Sequence, residues 1–359
     1  MSLSIGIVGL PNVGKSTLFN ALTNNDILAA NYPFATIEPN TGIVPVPDSR
    51  LQVLADMYHT QKIIPATVTF VDIAGLVAGA SQGEGLGNKF LHNIRECDTI
   101  VHVVRAFENS EILRHDEAPI DPKKDIDIIN TELILADIQT IESRLPRLQK
   151  EAKADPKART RRDYLERLLT HLGSGTPLSA LPSLDKEAIY DLHLLTAKPV
   201  IYAFNVDEAT LTDTDARKKL ADLVAPARTI FLCAKIEEEI KDLPEEDALE
   251  LLESYGVKNT GLNQLISTAY DTLGLQSYLT AGEKEVRAWT IHKGWTAPQA
   301  AGVIHTDFER GFIAAQIVDF NDLVTAGSES AAKAAGKIRT EGKTYVMQPN
   351  DVVEFRFNV

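Results

Sequence analysis

The segment from Gly9 to Ser16, with the sequence GLPNVGKS, constrains the fold more strongly than any other part of the chain. It matches the pattern G-x4-G-K-[ST] and lies between an apolar run, Ser4 to Val8, and a stretch with helical spacing, Ser16 to Leu22. A strand, a glycine-rich turn and a helix in that order present backbone N–H groups to phosphates at a helix N-terminus. We therefore predict an α/β nucleotide-binding domain whose phosphate loop contains Asn12, Val13, Gly14, Lys15, Ser16 and Thr17.

A magnesium ion is expected beside this loop, because phosphoryl transfer needs the charge of the phosphates neutralised. The Lys15 ammonium is predicted to contact the β- and γ-phosphates and so to act in catalysis, and the Ser16 hydroxyl is predicted to bind Mg²⁺. Thr36, in the sequence NYPFAT, is the candidate for a second hydroxyl ligand when a triphosphate is bound. Asn12 is a weaker candidate for holding a monovalent cation such as K⁺.

A second phosphate-sensing loop is predicted where an apolar run ends in Asp72-Ile-Ala-Gly75. The Asp72 carboxylate is expected to hold the Mg²⁺ shell, and the Gly75 N–H is expected to contact the γ-phosphate. Leu76 stands where Ras-like GTPases place the glutamine that orients water. A leucine cannot polarise water, so intrinsic hydrolysis should be slow unless another group, for which His115 is the candidate, reaches the γ-phosphate.

The predicted base-recognition loop reads Asn205-Val206-Asp207-Glu208, where an ordinary GTPase has N-K-x-D. The lysine of that motif is missing, and the carboxylate in the fourth place belongs to a longer side chain. Guanine selectivity should therefore weaken. The next strand is followed by the predicted base-covering residues Cys233, Ala234 and Lys235.

Further apolar runs resemble the buried strands of a parallel sheet joined by crossover helices. They are Val68 to Val71, Thr99 to Val104, Val200 to Asn205 and Thr229 to Leu232.

Between these runs, apolar residues step by four and three along the chain, which is the spacing of a coiled-coil seam. One series is Ile134, Ile138, Ile141, Leu145 and Leu148, and the other is Leu165, Leu168, Leu169 and Leu172. An antiparallel helical hairpin inserted into the sheet domain is predicted. Its basic tip carries Lys150, Lys153, Lys157, Arg159, Arg161 and Arg162.

The C-terminal part changes to short strand-like segments, which predict a small mixed α+β domain. These segments are Val286 to Ile291, Phe312 to Val318, Tyr345 to Met347 and Val352 to Phe357. The predicted domains are the nucleotide domain at 1–130 and 196–275, the helical insertion at 131–195 and the C-terminal domain at 276–359.

Composition narrows the classes of function. The net charge of −14 argues against a protein that coats nucleic acid with its whole surface, although a local basic patch remains open. No run approaches the roughly 20 apolar residues of a membrane span, and the start of the chain lacks the basic region of a signal peptide. We therefore expect a cytoplasmic protein in which Cys97 and Cys233 are free thiols.

Several motifs together resemble the YchF family of Obg-like ATPases, and the resemblance covers nearly the whole chain. They are the phosphate loop, NYPFATIEPNTGIV, DIAGLVAGASQGEGLGNKFL, NVDE, CAK and the C-terminal stretch from AGEKEVRAWTIHKGW onward. The resemblance implies a P-loop G-domain with a coiled-coil insertion and a C-terminal TGS domain of β-grasp type. It also implies a preference for ATP over GTP and association with the ribosome, chiefly the large subunit. The family's catalytic-loop histidine maps onto His115, and Cys233 stands where the family more often has serine.

Three interpretations follow. The leading one is a monomeric ATP-hydrolysing switch whose hairpin tip and TGS domain contact ribosomal RNA. The second is a GTPase of the Obg type, and the third is a ribosome-binding adaptor in which the nucleotide mainly stabilises the fold. Nucleotide competition separates the first two, and ribosome cosedimentation across nucleotide states tests the third.

Overall fold

The computed structural model describes residues 3–23, 40–73, 86–108, 119–240, 243–257 and 259–358. The chain divides into two compact units. The first comprises Met1–Val44 and Thr69–Leu265, and the second comprises Pro45–Val68 and Ile266–Val359.

The strands within the described residues are, in chain order, β1 (Ser4–Val8), β2 (Thr41–Pro45), β3 (Ile63–Ile64), β4 (Thr67–Asp72), β5 (Thr99–Ala106), β6 (Val200–Val206), β7 (Arg228–Leu232), β8 (Leu275–Ala281), β9 (Val286–His292), β10 (Phe312–Asp319), β11 (Arg339–Glu341) and β12 (Asp351–Phe357).

The α-helices within the same residues are α1 (Lys15–Thr23), α2 (Arg50–Tyr58), α3 (Leu86–Glu96), α4 (Pro122–Glu151), α5 (Pro156–Gly173), α6 (Glu208–Thr212), α7 (Thr214–Asp222), α8 (Ala234–Ile240), α9 (Glu245–Ser254), α10 (Gly261–Thr272), α11 (Ala297–Ile304), α12 (Thr306–Arg310), α13 (Phe320–Ala326) and α14 (Glu329–Ala334). Short 3-10 turns occur at Leu178–Ala180 and Tyr190–Leu192.

The first unit is built on a six-stranded sheet in the order β2-β4-β1-β5-β6-β7. Strand β1 pairs in parallel with β4 and β5, and β5, β6 and β7 continue the parallel ladder. This confirms the predicted parallel sheet. Because parallel strands end at one edge, the loops after β1, β5, β6 and β7 meet there, where ligands of open α/β sheets bind.

Helices α4 and α5 form the predicted helical hairpin. Ile134 and Ile141 of α4 lie in one buried cluster with Leu165, Leu168 and Leu172 of α5, which confirms the seam. Each helix starts at a proline, and the aspartate before it accepts a hydrogen bond from a free backbone N–H of the first turn.

A buried carboxylate of the hairpin holds the segment that leads into β6. Asp137 of α4 accepts hydrogen bonds from the backbone N–H groups of Leu195 and Thr196, both at 2.8 Å, and from the Thr196 hydroxyl at 2.6 Å. Burial raises the pKa of Asp137, although these three hydrogen bonds favour its charged form. The chain just before β6 is thus bonded directly to α4.

The second unit contains a sheet in the order β11-β10-β12-β8-β9-β3. The β8–β9 hairpin is antiparallel, and the last strand, β12, lies between β8, to which it is parallel, and β10, to which it is antiparallel. Helix α11 packs on this sheet through Ala297, Ala300 and Ala301, beside Tyr278 and Ile291. A first hairpin, a crossing helix and a last strand inserted in the centre constitute the β-grasp arrangement.

Residues 45–68 belong to this second unit, whereas the predicted nucleotide domain at 1–130 includes them. The reason is strand pairing: Ile63 and Ile64 of β3 extend the second sheet by pairing with Val286 and Arg287 of β9. Arg50 of α2 also donates to the Asn350 side-chain oxygen at 3.1 Å.

The predicted strand at Tyr345 to Met347 is wrong, because Val346 makes only an isolated bridge with Thr296. Strand β8 was not anticipated. Its Gln276 and Ser277 are polar yet buried, and they interrupt the apolar pattern of a central strand. Gln276 donates to the Met347 carbonyl at 2.8 Å and Ser277 is bonded to the Tyr270 hydroxyl at 2.6 Å, so both are accommodated by contacts that the sequence does not display.

Candidate nucleotide site

The phosphate loop follows β1 in a tightly wrapped conformation that its glycines make possible. Gly14 has φ +94°, and a Cβ atom there would lie 2.4 Å from the Asn205 Nδ2 atom. A Cβ atom on Gly9 would lie 2.7 Å from the Val103 carbonyl oxygen. Helix α1 begins directly afterwards, with the Leu18 N–H donating to the Gly14 carbonyl at 2.9 Å. Gly14 is therefore required by its positive φ and by the Asn205 side chain, and Gly9 by the close approach of the Val103 backbone.

Asn205, at the end of β6, joins the phosphate loop to the loop after β7. Its side-chain Nδ2 donates to the Val13 carbonyl at 3.0 Å, and its Oδ1 accepts from the Ala234 N–H at 3.1 Å. The residue is only 4% exposed, so both hydrogen bonds are shielded from water. Asn205 is predicted to bind the base, which stays a prediction; in the structure its side-chain amide joins the two loops.

These loops surround a cavity of about 430 Å³. Of the predicted ligand-binding residues, those that line it are Asn12, Gly14, Thr17, Asn205, Val206, Glu208, Cys233, Ala234 and Lys235. Four lining residues were missed: Phe107, Glu108, Asp207 and Glu238. Phe107 and Glu108 follow β5 at the edge where the other loops meet, so the rule that ligands bind at the carboxyl ends of parallel strands could have found them.

The predicted phosphate-contacting residues Val13, Lys15 and Ser16 do not line this cavity. The Val13 side chain is buried, so only its backbone is available to a ligand. Ser16 is exposed in the first turn of α1, and Lys15 lies with its Nζ 3.6 Å from the Asp72 Oδ1 atom. Asp72 ends β4, level with Ile7 of β1 in the strand register.

The residues present fit a magnesium ion. The Asp72 Oδ1 atom is buried and has no hydrogen-bond partner within the described part of the chain. A buried oxygen without a hydrogen bond is costly even beside the Lys15 ammonium, and a hard cation or its water shell would satisfy it. The described residues contain no group of three or more His, Cys, Asp or Glu side chains that could hold a metal. A P-loop magnesium ion does not need one, because it takes phosphate oxygens and water as its other ligands.

The acidic residues of the base loop are already engaged. The Glu208 carboxylate pairs with the Lys235 ammonium at 2.8 Å, and these side chains are 41% and 67% exposed. The Asp207 carboxylate accepts from the Thr210 N–H at 2.8 Å and so caps α6. No carboxylate of the Asn205 to Glu208 segment therefore stands without a partner in this structure.

Three predicted functional residues, Thr36, Gly75 and His115, lie outside the described residues. Both cysteines are free and buried. Burial raises the pKa of Cys97 to about 11 and also raises the pKa of Cys233. Thiols that stay protonated at neutral pH are poor nucleophiles, which disfavours redox sensing at either position.

Among the described residues, none of the helices combines the length and apolar character needed to cross a bilayer.

Comparison with known proteins shows the family of this chain. A family model described as "50S ribosome-binding GTPase" matches residues 4–157, and the YchF GTPase C-terminal model, described as "Protein of unknown function (DUF933)", matches residues 275–358. The chain is 52% identical to the ribosome-binding ATPase YchF of Haemophilus influenzae and 49% identical to that of Bacillus subtilis, with each alignment covering 100% of both chains.

Solved structures of similar fold are also known. The YchF GTPase of Schizosaccharomyces pombe matches with a TM-score of 0.87 and 40% identity, over 99% of this chain and 98% of that one. A GTP-binding protein of Pyrococcus horikoshii, at 20% identity over 99% of this chain and 100% of that one, has a TM-score of 0.60 and shows similarity of fold alone. From its phosphate loop to its C-terminal β-grasp unit, the chain belongs to the YchF family.

Proposed function

We propose that this chain is a ribosome-associated, Mg²⁺-dependent ATPase that works as a switch in translation. The observation that carries the proposal is the Asn205 bridge, which assembles the phosphate loop and the 233–235 loop around one cavity of about 430 Å³. That volume falls within the range of small-ligand sites. The relatives named ribosome-binding ATPase, at about half identity over their full length, support the ribosomal part.

In the proposed site, Lys15 exchanges its contact with Asp72 for the phosphates, and the Ser16 hydroxyl and the Asp72 carboxylate hold Mg²⁺. When bound, Mg²⁺ neutralises charge on the transferred phosphoryl group. Thr36, Gly75 and His115 belong to the same proposal, as second hydroxyl ligand, γ-phosphate contact and catalytic group. The proposal also includes K⁺ as an activator held near Asn12.

The proposed preference for ATP over GTP rests on the Glu208–Lys235 ion pair. Reading guanine requires a carboxylate that accepts from both N1–H and the 2-amino group. Glu208 would have to leave Lys235 to do so, and adenine makes no such demand. The competing GTPase interpretation is supported by two descriptions: the family model over residues 4–157 and the Schizosaccharomyces pombe structure are both described as GTPases.

Competition titration with ATP and GTP on one purified sample tests this preference. We expect ATP to bind at least as tightly as GTP. Lys235→Ala should release Glu208 and shift the ratio toward GTP by up to about fivefold, because exposed ion pairs are weak. Lys218→Ala, at an exposed lysine of α7, is the matched control. A clear GTP preference in the unaltered chain would assign it to the GTPases instead.

We propose the hairpin tip, residues 150–162, and the C-terminal unit as the surfaces that contact ribosomal RNA, chiefly of the large subunit. Arg161 and Arg162 are already ion-paired, with Asp191 and Asp163. The remaining tip cations are exposed and have no ion pair within the described residues; they are Lys150, Lys153, Lys157 and Arg159. Unpaired cations on an acidic protein confine attraction for phosphate to one region, which orients the encounter.

The proposal also states that the chain acts as a monomer in the cytoplasm. The alternative, an adaptor that needs nucleotide only for stability, predicts that ribosome cosedimentation is the same with ATP, with ADP and without nucleotide. A switch predicts that it changes among these states.

A further inference from the structure

A second cavity, of about 620 Å³, lies in the first unit, and helix α8 contributes residues to both this cavity and the nucleotide cavity. Glu237 lines this second cavity, whereas its neighbour Glu238 lines the nucleotide cavity. The walls of the second cavity come from α6, α7, β7, α8, α9 and the start of α10. None of the residues placed in the phosphate, metal or base sites contributes to it.

Two buried polar atoms in this cavity have no hydrogen-bond partner within the described residues. Glu237 is 3% exposed, and its Oε1 accepts from the Gly261 N–H at 2.6 Å. The Leu262 N–H also favours the charged carboxylate, but the Oε2 atom has no hydrogen bond of good geometry within the described residues. The second atom is the Nε of Arg217 on α7, a donor. Unpaired buried groups are costly, so an acceptor and a donor in one cavity indicate a ligand that carries both functions.

The cavity also contains the free edge of the sheet. Within the described residues, strand β7 is last in the sheet order and has β6 as its one ladder partner, and its residues Thr229 to Leu232 line the cavity. An edge strand presents alternating N–H and C=O groups to a further extended chain. A peptide backbone is the ligand that supplies donors and acceptors at the same spacing.

Charge indicates what side chains such a peptide carries. Between residues 236 and 253 the sequence has nine acidic residues and a single lysine. Glu239, Glu250 and Glu253 are exposed on α8 and α9, close in sequence to cavity-lining Glu237 and Leu252. This surface attracts Lys and Arg and repels nucleic-acid phosphates.

We propose that the edge of β7 and this cavity bind an extended, lysine- or arginine-bearing polypeptide segment of the ribosome by strand addition. The partner rests on the proposed ribosome association, whereas the site rests on the cavity, the free edge and the two unsatisfied atoms. The hairpin tip would then contact RNA while the acidic surface contacts protein, so the two surfaces have partners of opposite charge.

The test uses the full chain with the photo-crosslinking substitution Thr212→p-benzoylphenylalanine, at an exposed residue on the cavity rim. Purified ribosomes are added, the sample is irradiated, and the crosslinked partner is mapped by mass spectrometry. The matched control is Lys219→p-benzoylphenylalanine, at an exposed position of α7 outside the cavity. We expect position 212 to crosslink to a basic segment of a ribosomal protein, with a yield about tenfold above that of position 219.

Two further substitutions are combined with the probe at 212. Glu237→Gln keeps an oxygen for the Gly261 N–H but removes the charge, and Arg217→Met keeps the side-chain length but removes the donors. Each should lower the crosslink yield about tenfold, because Glu237→Gln replaces the unsatisfied acceptor by a donor and Arg217→Met removes the unsatisfied donor. Each should leave ATP binding unchanged.

Two results would overturn the peptide site while leaving the proposed function standing, provided that the chain still cosediments with ribosomes. One is the absence of a crosslink at 212, and the other is a crosslink to ribosomal RNA. Loss of cosedimentation for the unaltered chain would instead refute ribosome association, and with it this partner. Crosslink yields from the Glu237→Gln and Arg217→Met proteins that match the yield from the protein carrying only the probe at 212 would also refute the site.

Discussion

Replacing Asn205 by alanine tests the bridge that defines the nucleotide site. The change removes the donor to the Val13 carbonyl and the acceptor for the Ala234 N–H, at a position that is 4% exposed. Leaving a buried backbone group unsatisfied costs about 1–3 kcal/mol, and two groups are affected. Partial access of water to the truncated site lowers the total, so we expect a cost of about 2–4 kcal/mol for the closed arrangement of the two loops.

Hydrogen exchange is the direct assay, because the chain has two units and one global unfolding free energy is poorly defined. A cost of about 2–4 kcal/mol corresponds to roughly 30- to 1000-fold faster opening-limited exchange at the Ala234 amide. ATP affinity should fall over the same range if the nucleotide requires the closed arrangement. The amides of β12, in the other unit, should exchange at their original rates.

Asn20→Ala, at an exposed asparagine of α1, is the control for losing an asparagine side chain. It should change neither exchange nor ATP affinity by more than about twofold. Unchanged protection at Ala234 together with unchanged ATP affinity in Asn205→Ala would show that the bridge does not hold the site together.

Lys15→Ala should weaken ATP binding about 100-fold in isothermal titration without unfolding the chain, because it removes a charged phosphate contact from a cradle built of backbone; normal affinity would remove Lys15 from the site. For Glu237, burial raises the pKa from 4.5 to about 7. The folded state therefore binds more protons than the unfolded state between those values, so stability falls as pH rises from about 4.5 through 7, by up to about 3 kcal/mol. The unfolding temperature of the first unit should show this dependence on pH, and Glu237→Gln should remove it. Unfolding temperatures that change with pH in the same way in the unaltered and Glu237→Gln proteins would contradict the assignment. Changing the four unpaired tip cations to serine should lower ribosome cosedimentation and flatten its salt dependence, while ATP turnover by the free protein persists. The same change at the paired Arg161 and Arg162 is the control. Unchanged cosedimentation across a salt series would show that the tip is only a solvated surface.

Short sequence patterns predicted the elements whose contacts join residues close in the chain. The turn between β1 and α1 follows from the glycine spacing in Gly9 to Ser16, and the hairpin seam follows from the steps between Ile134 and Leu148. Strand β8 was missed because Gln276 satisfies its amide through Met347, 71 positions away. Periodicity cannot register a buried polar group whose partner lies that far along the chain.

The sequence by itself determined the phosphate loop, the parallel strands that end at its edge and the family to which the chain belongs, since each depends on residue type and short spacing. Only the tertiary structure decided that Asn205 braces Val13, 192 positions away, and that Lys235 engages Glu208, 27 positions away. It alone placed residues 45–68 in the second unit and left Glu237 and Arg217 with unsatisfied atoms in one cavity. These features depend on which distant segments the packing of the sheet brings together, and a hydrogen bond or a cavity between such segments leaves no periodic trace in the order of the residues.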